Sequence, residues 1–498
     1  MIGVTSAWVY LPVTYSIKSA SSFEFFDRRF NQHIRKFASL IFVVETILHT
    51  AMSQYVPALT LSQATGWPVF PLACVLSLIC FAYTASGGLK AVAWADSFQA
   101  LVFMTTAFAI TITGTLIVGG PTEVWHRGVE GSRLELFNFD SFLTKRYNTP
   151  NLIVGGICML SHNYLSPSFH QRVASMPTLG TARQVVIWSS IFAGIFMSAT
   201  FLAGIMIYAY FAGCDPVLAK KGIESHSTIL PYFVKQISNV LPGIEGLFLS
   251  GVVAAGLSTT TSCWNTVACT IYEDFFVPAM REKVQKKTAL RILTGIVLFI
   301  SLLSTSFILV IQNVSSIQEA TLSVKSFTLS MLFILNNAGM FLPWVNSKGV
   351  LAGSLVSGTF TTYVVLGTLN AKKKKLVRDL PKILTTAMCL VNGTSTMESL
   401  NMTTSIGTTG YGLVTESDPS VPQLFKMSFM LYTLPGTVLG LVVALMASLL
   451  TGPQNLATVD REMIVPLMHW VLPRPKEERR ADTPLDEYVK VSQTAEED

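Results

Sequence analysis

The run Gly251-Val-Val-Ala-Ala-Gly-Leu-Ser-Thr-Thr-Thr-Ser-Cys-Trp-Asn265 packs hydroxyl side chains into an apolar segment long enough to cross a bilayer. On a helix, Ala255, Ser258, Thr259 and Ser262 fall at i, i+3, i+4 and i+7, which sets three hydroxyls on one face. Hydroxyl and carbonyl oxygens are the ligands a hard alkali cation takes. Two uses fit such a face: a cation site at membrane depth, or close helix packing in which Ser and Thr bond back to their own backbone. The window alone leaves both open.

Ionisable residues inside apolar segments are the next chemistry-bearing feature, because a charge in hydrocarbon is costly. Lys325 lies about two turns inside the outer end of its segment, where it either faces an anionic substrate or snorkels to the interface. Glu45 and His49 are spaced i, i+4, as a structural pair or a proton relay would be. Glu273 and Asp274 read as groups at the inner mouth of a helix, and His162 and His170 as packing or interface residues. There is no phosphate-binding glycine loop with its lysine, no metal-spaced His/Cys cluster and no nucleophile elbow, so neither an enzyme nor a cofactor is expected.

The elements that must position these residues follow from composition. Half of the 498 residues are apolar and 13% are charged, against about 25% charged in soluble domains. The chain is an all-α polytopic membrane protein on this evidence, and its net charge of +6 speaks to membrane topology rather than to nucleic acid. Spans are expected at 37–64, 67–86, 97–119, 151–166, 185–213, 244–272, 290–312, 319–342, 349–370 and 424–451. Residues 1–16 read as the back half of one more helix. Basic residues cluster at 17–36 and 277–291, which places those loops and the C-terminus in the cytoplasm by the positive-inside rule. Loops 120–150, 214–241 and 371–423 are then external. The last carries glycosylation sequons at Asn392 and Asn401, and a disulfide between Cys214 and Cys389 becomes feasible on that side. Ser22-Phe-Glu-Phe-Phe-Asp-Arg-Arg-Phe30 reads as a helix along the inner interface. Residues 452–498 read as a cytosolic tail, mostly disordered from Pro473 onward.

Tyr83-Thr-Ala-Ser-Gly-Gly-Leu-Lys-Ala-Val-Ala-Trp-Ala-Asp-Ser-Phe-Gln99 joins two spans through Gly87 and Gly88, expected to end one helix, and opens the next with Asp96 near its N-terminus. This segment resembles a signature element of the sodium/solute symporter family, in the branch of sodium-coupled monocarboxylate and multivitamin transporters. Further matches are collinear: Tyr10-Leu-Pro-Val, residues 55–66, Phe137-Asn-Phe-Asp140, Gly155-Gly156, Gln171-Arg172, residues 258–265 with Glu273-Asp274, and residues 339–349.

The resemblance implies the inverted-repeat, LeuT-like sodium symporter fold, with sites near the bilayer midplane beside broken helices. Carried onto this chain, 17–119 would be the remainder of the first repeat, 151–342 the second, and 343–451 accessory helices. The principal sodium position would take the Ala255 carbonyl and the Ser258 and Thr259 hydroxyls; a second would use Thr261 and Ser262 with Asp96 near the inner exit. Ser323 and Lys325 are the candidate substrate contacts. Departures are as informative as matches. The family's first core helix, with further sodium ligands, would precede Met1. Thr328-Leu-Ser-Met331 stands where relatives break their tenth core helix with Gly-Gly-Pro, and Ser166-Pro-Ser-Phe-His170 replaces a polar run before Gln171. The implied function is sodium-coupled uptake of a small carboxylate-bearing solute, a monocarboxylate or a vitamin such as biotin or pantothenate, across the plasma membrane. The rival readings are a transport-dead relative that binds partner proteins and an ion leak.

Overall fold

The computed structural model describes residues 2–473, apart from 136, 140–147, 220–227, 281–284, 313–316, 375, 380–383, 387–388, 390–414 and 418. The sequons at Asn392 and Asn401 and the side chain of His162 lie outside the described residues. The helices are α1 (Ile2–Val9), α2 (Leu11–Ser16), α3 (Glu24–Arg29), α4 (Gln32–Thr65), α5 (Val69–Val118), α6 (Pro121–Glu130), α7 (Thr149–Leu165) and α8 (Pro167–Ala174). They continue with α9 (Leu179–Phe211), α10 (Ile229–Ile237), α11 (Ile244–Ile271), α12 (Val277–Ala279), α13 (Lys286–Ile311), α14 (Ile317–Phe341), α15 (Ser347–Lys373) and α16 (Thr433–Leu450). A two-stranded antiparallel ribbon, β1 (Val377–Asp379) with β2 (Thr415–Ser417), interrupts the all-helical pattern in the loop after α15.

Helix starts follow local chemistry. Asn31, Asn148, Thr178 and Asn346 each place a side-chain oxygen on a backbone N–H of the first turn of α4, α7, α9 and α15, a cap worth about 1 kcal/mol. Gly66 closes α4 in the left-handed conformation at φ +76°, which a residue with a Cβ adopts poorly.

Ten full spans were expected, and seven helices among the described residues are long and apolar enough to cross a membrane. The apolar stretch Val69–Ala85 is too short, and so is α7. Lys325, Asn336, Asn337 and several serines dilute the apolarity of α14. The helical hydrogen bonding of α5 continues through Gly87 and Gly88, so the glycine pair does not end a helix and Asp96 lies within α5 rather than at an N-terminus. Glycine lowers helix stability by about 1 kcal/mol and permits a break without forcing one.

The core is layered around α11, which packs between α4 and α5 with α13 alongside. Trp264, Val267 and Ala268 of α11 join Ile34, Ala38 and Phe42 of α4 and Leu335 and Ala338 of α14 in the largest apolar cluster. A second cluster links α5, α9, α10 and the N-terminal half of α11 through Ile110, Met206, Phe233 and Phe248. Small residues set the tightest approaches, as expected where lipid gives helices no hydrophobic reason to associate. A Cβ on Gly256 would stand 2.2 Å from Pro57 Cγ of α4, and one on Gly251 would stand 2.4 Å from Thr106 Oγ1 of α5.

Two further expectations are corrected. Helix α3 turns its aromatic residues into the protein rather than outward: Phe23, Phe25 and Phe26 are buried, and Arg29 is 4% exposed. Arg29 donates to the carbonyls of Gly339, Leu342, Pro343 and Val345 at 2.9–3.3 Å, capping the end of α14. Burial pulls its guanidinium down to about 10, still charged at neutral pH. The segment after Gly452 is not tail throughout, because Met463, Ile464 and Val465 are buried and the Val465 N–H donates to the Met340 carbonyl at 3.1 Å.

Candidate cation site

The hydroxyl face of α11 meets Asp96 of α5. Ser258 Oγ donates to Asp96 Oδ1 at 3.0 Å, and Ser262 Oγ donates to Asp96 Oδ2 at 2.7 Å. One turn separates the two serines, so the single carboxylate spans both. Thr261, fully buried, does not join them: its hydroxyl donates back to the Leu257 carbonyl at 3.0 Å. The expected second position therefore gathers Asp96 and Ser262, leaves Thr261 on its own helix, and shares Ser258 with the first.

At the first position, Thr259 Oγ1 donates to the Ala255 carbonyl at 3.1 Å. That bond is the packing arrangement a threonine adopts in any helix. It also holds two of the three candidate ligand oxygens side by side with lone pairs to spare, an edge that one small cation can touch. Ala255 and Thr259 open onto a cavity of about 580 Å³ between α4, α5, α9 and α11, whose wall is almost wholly apolar. Ser53 and Pro57 of α4 face them across it, with Thr106 and Thr200 supplying further hydroxyls. Among the described residues no charged side chain lines this cavity, and neither Ser323 nor Lys325 reaches it. Those two belong to another part of the interior. Ser323 is buried with no hydrogen-bond partner for its hydroxyl among the described residues, and Lys325 and Glu45 both act electrostatically on the Cys263 thiol.

Arg172 had no role assigned from its motif. Its Nη2 lies 3.1 Å from Asp96 Oδ2 and 3.0 Å from Ser262 Oγ, completing the cluster from α8. The preceding two residues anchor that short helix: His170 Nε2 meets the Ser19 carbonyl at 3.0 Å, and Gln171 Nε2 donates to the Ala20 carbonyl at 3.3 Å. Because a carbonyl only accepts, Nε2 carries the proton, and burial holds the imidazole below the usual histidine range. Gln171-Arg172 was visible as a motif, but motif spacing carries no direction for a side chain in a loop helix.

Asp274 is the second finding the sequence missed. At the inner mouth either solvation or attraction to a cation would account for it, and it is 0% exposed, within a π-helical turn, Tyr272–Phe276, at the end of α11. Its Oδ1 accepts from Arg35 Nε at 2.9 Å and Nη2 at 2.7 Å, and its Oδ2 accepts from Ser21 at 3.0 Å and from Ser39. Outside the helices, Cys214 and Cys389 form the disulfide that their expected placement allows, with Cα atoms 4.9 Å apart.

Comparisons with known proteins bear on the fold and the family. The chain is 28% identical to sodium-coupled monocarboxylate transporter 2 of Mus musculus over 460 residues, covering 92% of this chain and 72% of that protein. It is 29% identical to the sodium/iodide cotransporter of Homo sapiens over 494 residues, covering 95% of this chain and 75% of that protein. Among solved structures it matches a substrate-bound, outward-open state of a sodium-coupled sialic acid symporter with a TM-score of 0.67. That match has 18% identity and covers 91% of this chain and 83% of the other, so it speaks to the fold. The profile of the sodium:solute symporter family covers residues 9–357. With the seven apolar helices, these matches make the chain a multi-pass membrane protein that belongs to the sodium:solute symporter family.

Proposed function

We propose that this protein carries a small carboxylate-bearing solute into the cell together with sodium, by alternating access across the plasma membrane, with its C-terminus in the cytoplasm. The observation that carries the proposal is the convergence of Asp96, Ser258 and Ser262 one turn from an apolar cavity floored by Ala255 and Thr259. Sodium at Ala255, Ser258 and Thr259 would sit on the wall of that cavity. With no charged side chain among the described residues of its wall, the bound sodium would itself be the counter-charge for the carboxylate, while the apolar wall accepts the rest of the solute. Each ligand would then strengthen the binding of the other by the same factor, and that reciprocity is the thermodynamic content of coupling. The relatives named above pair sodium with a monocarboxylate or with iodide, both anions.

The test is uptake of radiolabelled lactate, biotin and pantothenate by cells expressing the chain, with sodium or choline outside. Uptake should require sodium, and Thr259→Ala should raise the half-saturating sodium concentration roughly tenfold, the equivalent of one ligand worth about 1.4 kcal/mol. Uptake indifferent to sodium overturns the proposal, as does a Thr259→Ala protein with unchanged sodium dependence. Helix α14 runs unbroken through Thr328–Met331, which favours a stiffer bundle, so sodium current is recorded in parallel. Current without solute flux would establish a leak instead.

A further inference from the structure

The geometry points to Arg172 as a tethered cation that occupies the second sodium position in this conformation and has to leave before sodium can bind there. The inference rests on the sodium reading of Asp96, Ser258 and Ser262 given above.

Every proton in the cluster has one direction. Ser258 donates to Asp96 Oδ1, Ser262 donates to Asp96 Oδ2, and Arg172 Nη2 donates to both Asp96 Oδ2 and Ser262 Oγ. The guanidinium therefore uses the lone pairs of Ser262 Oγ and Asp96 Oδ2 that a sodium ion would need. The two cations compete for the same oxygens, and side by side they would repel each other at contact distance.

The supporting elements suit a latch that swings. The Asp96 side chain is 15% exposed and held by two serines, whereas the Arg172 side chain is 61% exposed and meets the cluster through one nitrogen. Its backbone is fixed by the contacts of His170 and Gln171 with Ser19 and Ala20, so the guanidinium can release while its tether stays in place. Ser258 belongs to both positions, so a change of occupant at Asp96 reorients a ligand of the first position as well. A displaceable internal cation of this kind would lower apparent sodium affinity and help expel sodium on the side from which Arg172 returns.

The experiment measures binding of radiolabelled sodium to the purified full-length chain in nanodiscs, without substrate. If Arg172 holds the position nine-tenths of the time, Arg172→Gln should tighten the second component of sodium binding about tenfold. Millimolar free guanidinium should compete with sodium in Arg172→Gln and not in the parent. Asp96→Asn in the Arg172→Gln background should abolish the gain. Arg172→Lys, whose ammonium cannot span both oxygens as the guanidinium does, should give a smaller gain and stands in if the glutamine variant does not fold. Unchanged or weaker sodium binding in Arg172→Gln and Arg172→Lys, or competition by guanidinium in the parent as strong as in the variant, overturns the inference. Ser258→Ala and Thr259→Ala are run beside them. If these leave sodium binding intact, the sodium assignment itself has failed. If they weaken it while the Arg172 variants do not tighten it, only the tethered-cation role has failed.

Discussion

The buried pair of Arg35 and Asp274 should be a fastening point of the bundle, and its two halves should fail unequally. Asp274 is fully buried and accepts four hydrogen bonds, two from Arg35 and one each from Ser21 and Ser39. Arg35 is 14% exposed on its side chain and keeps a second partner, Asp27, at 3.3 Å. Arg35→Ala leaves a carboxylate in the interior with only two hydroxyl donors, which costs about 3–5 kcal/mol. Asp274→Asn keeps the shape and an acceptor for both serines, and Arg35 retains Asp27 and some solvent, so its cost should be about 1–3 kcal/mol. Removing both charges, in Arg35→Met with Asp274→Leu, should be less damaging than Arg35→Ala alone, since no uncompensated charge remains. The assay is unfolding of the detergent-solubilised protein by increasing dodecyl sulfate in mixed micelles, followed by tryptophan fluorescence, with the fully buried Trp264 of α11 among the reporters. An Arg35→Ala cost under about 1 kcal/mol would refute the reasoning, and so would strict additivity of the single variants, because non-interacting sites add.

Three more outcomes are expected from the packing of the bundle and its loops. Gly251→Ala and Gly256→Ala should each cost about 1–3 kcal/mol by overpacking, because a new Cβ at 251 would stand 2.6 Å from Thr106 Cβ, which no side-chain rotation moves, and one at 256 would stand 2.2 Å from Pro57 Cγ; unfolding curves that match the parent would contradict this. His170 is held neutral below its unfolded value of about 6.5, with Nδ1 buried and without an acceptor. The unfolded chain thus binds the extra proton first, and stability should fall as pH drops below about 6.5 and level off below the folded value. His170→Gln should flatten that slope, and a variant as pH-sensitive as the parent would exclude His170 as its source. Finally, denatured protein should gain two maleimide-reactive thiols on reduction, and Cys214→Ser should remove the gain, with Cys389 then alkylated without reductant.

What could be seen in the sequence was what a single helix dictates. The bilayer demands long apolar runs, so the positions of α4, α9, α11, α13 and α15 follow from hydropathy. Helical periodicity alone puts Ser258, Thr259 and Ser262 on one face. The pairing of that face with Asp96, at a separation of 162 residues from Ser258, came only through family resemblance, because nothing local relates the two. Residues whose meaning depends on a second element were misjudged. Glu273-Asp274 at the end of a span fits solvation and cation attraction equally until Ser21, Arg35 and Ser39 close over Asp274. Phe23 to Arg29 looks amphipathic until the carbonyl end of α14 arrives to take up the guanidinium. Gly87-Gly88 looks like a stop because glycine permits one, but permission is not a driving force.

Arg172 shows why the remainder stayed hidden. Its partners lie 76 and 90 residues away on two different helices, and its aim is set by neighbours that bond to a turn 151 residues earlier. A sequence motif can mark such a residue as notable, but the sign of its effect depends on what it touches. Placed in solvent, Arg172 would raise nothing but the local potential. Placed on Asp96 and Ser262, the same positive charge would compete with the sodium proposed to bind there. The direction in which sodium affinity moves when it is removed is therefore a property of the packed structure, and it is the quantity that separates a latch from an ordinary surface ion pair, whose loss is worth only about 0–1 kcal/mol of stability and leaves ion affinity where it was.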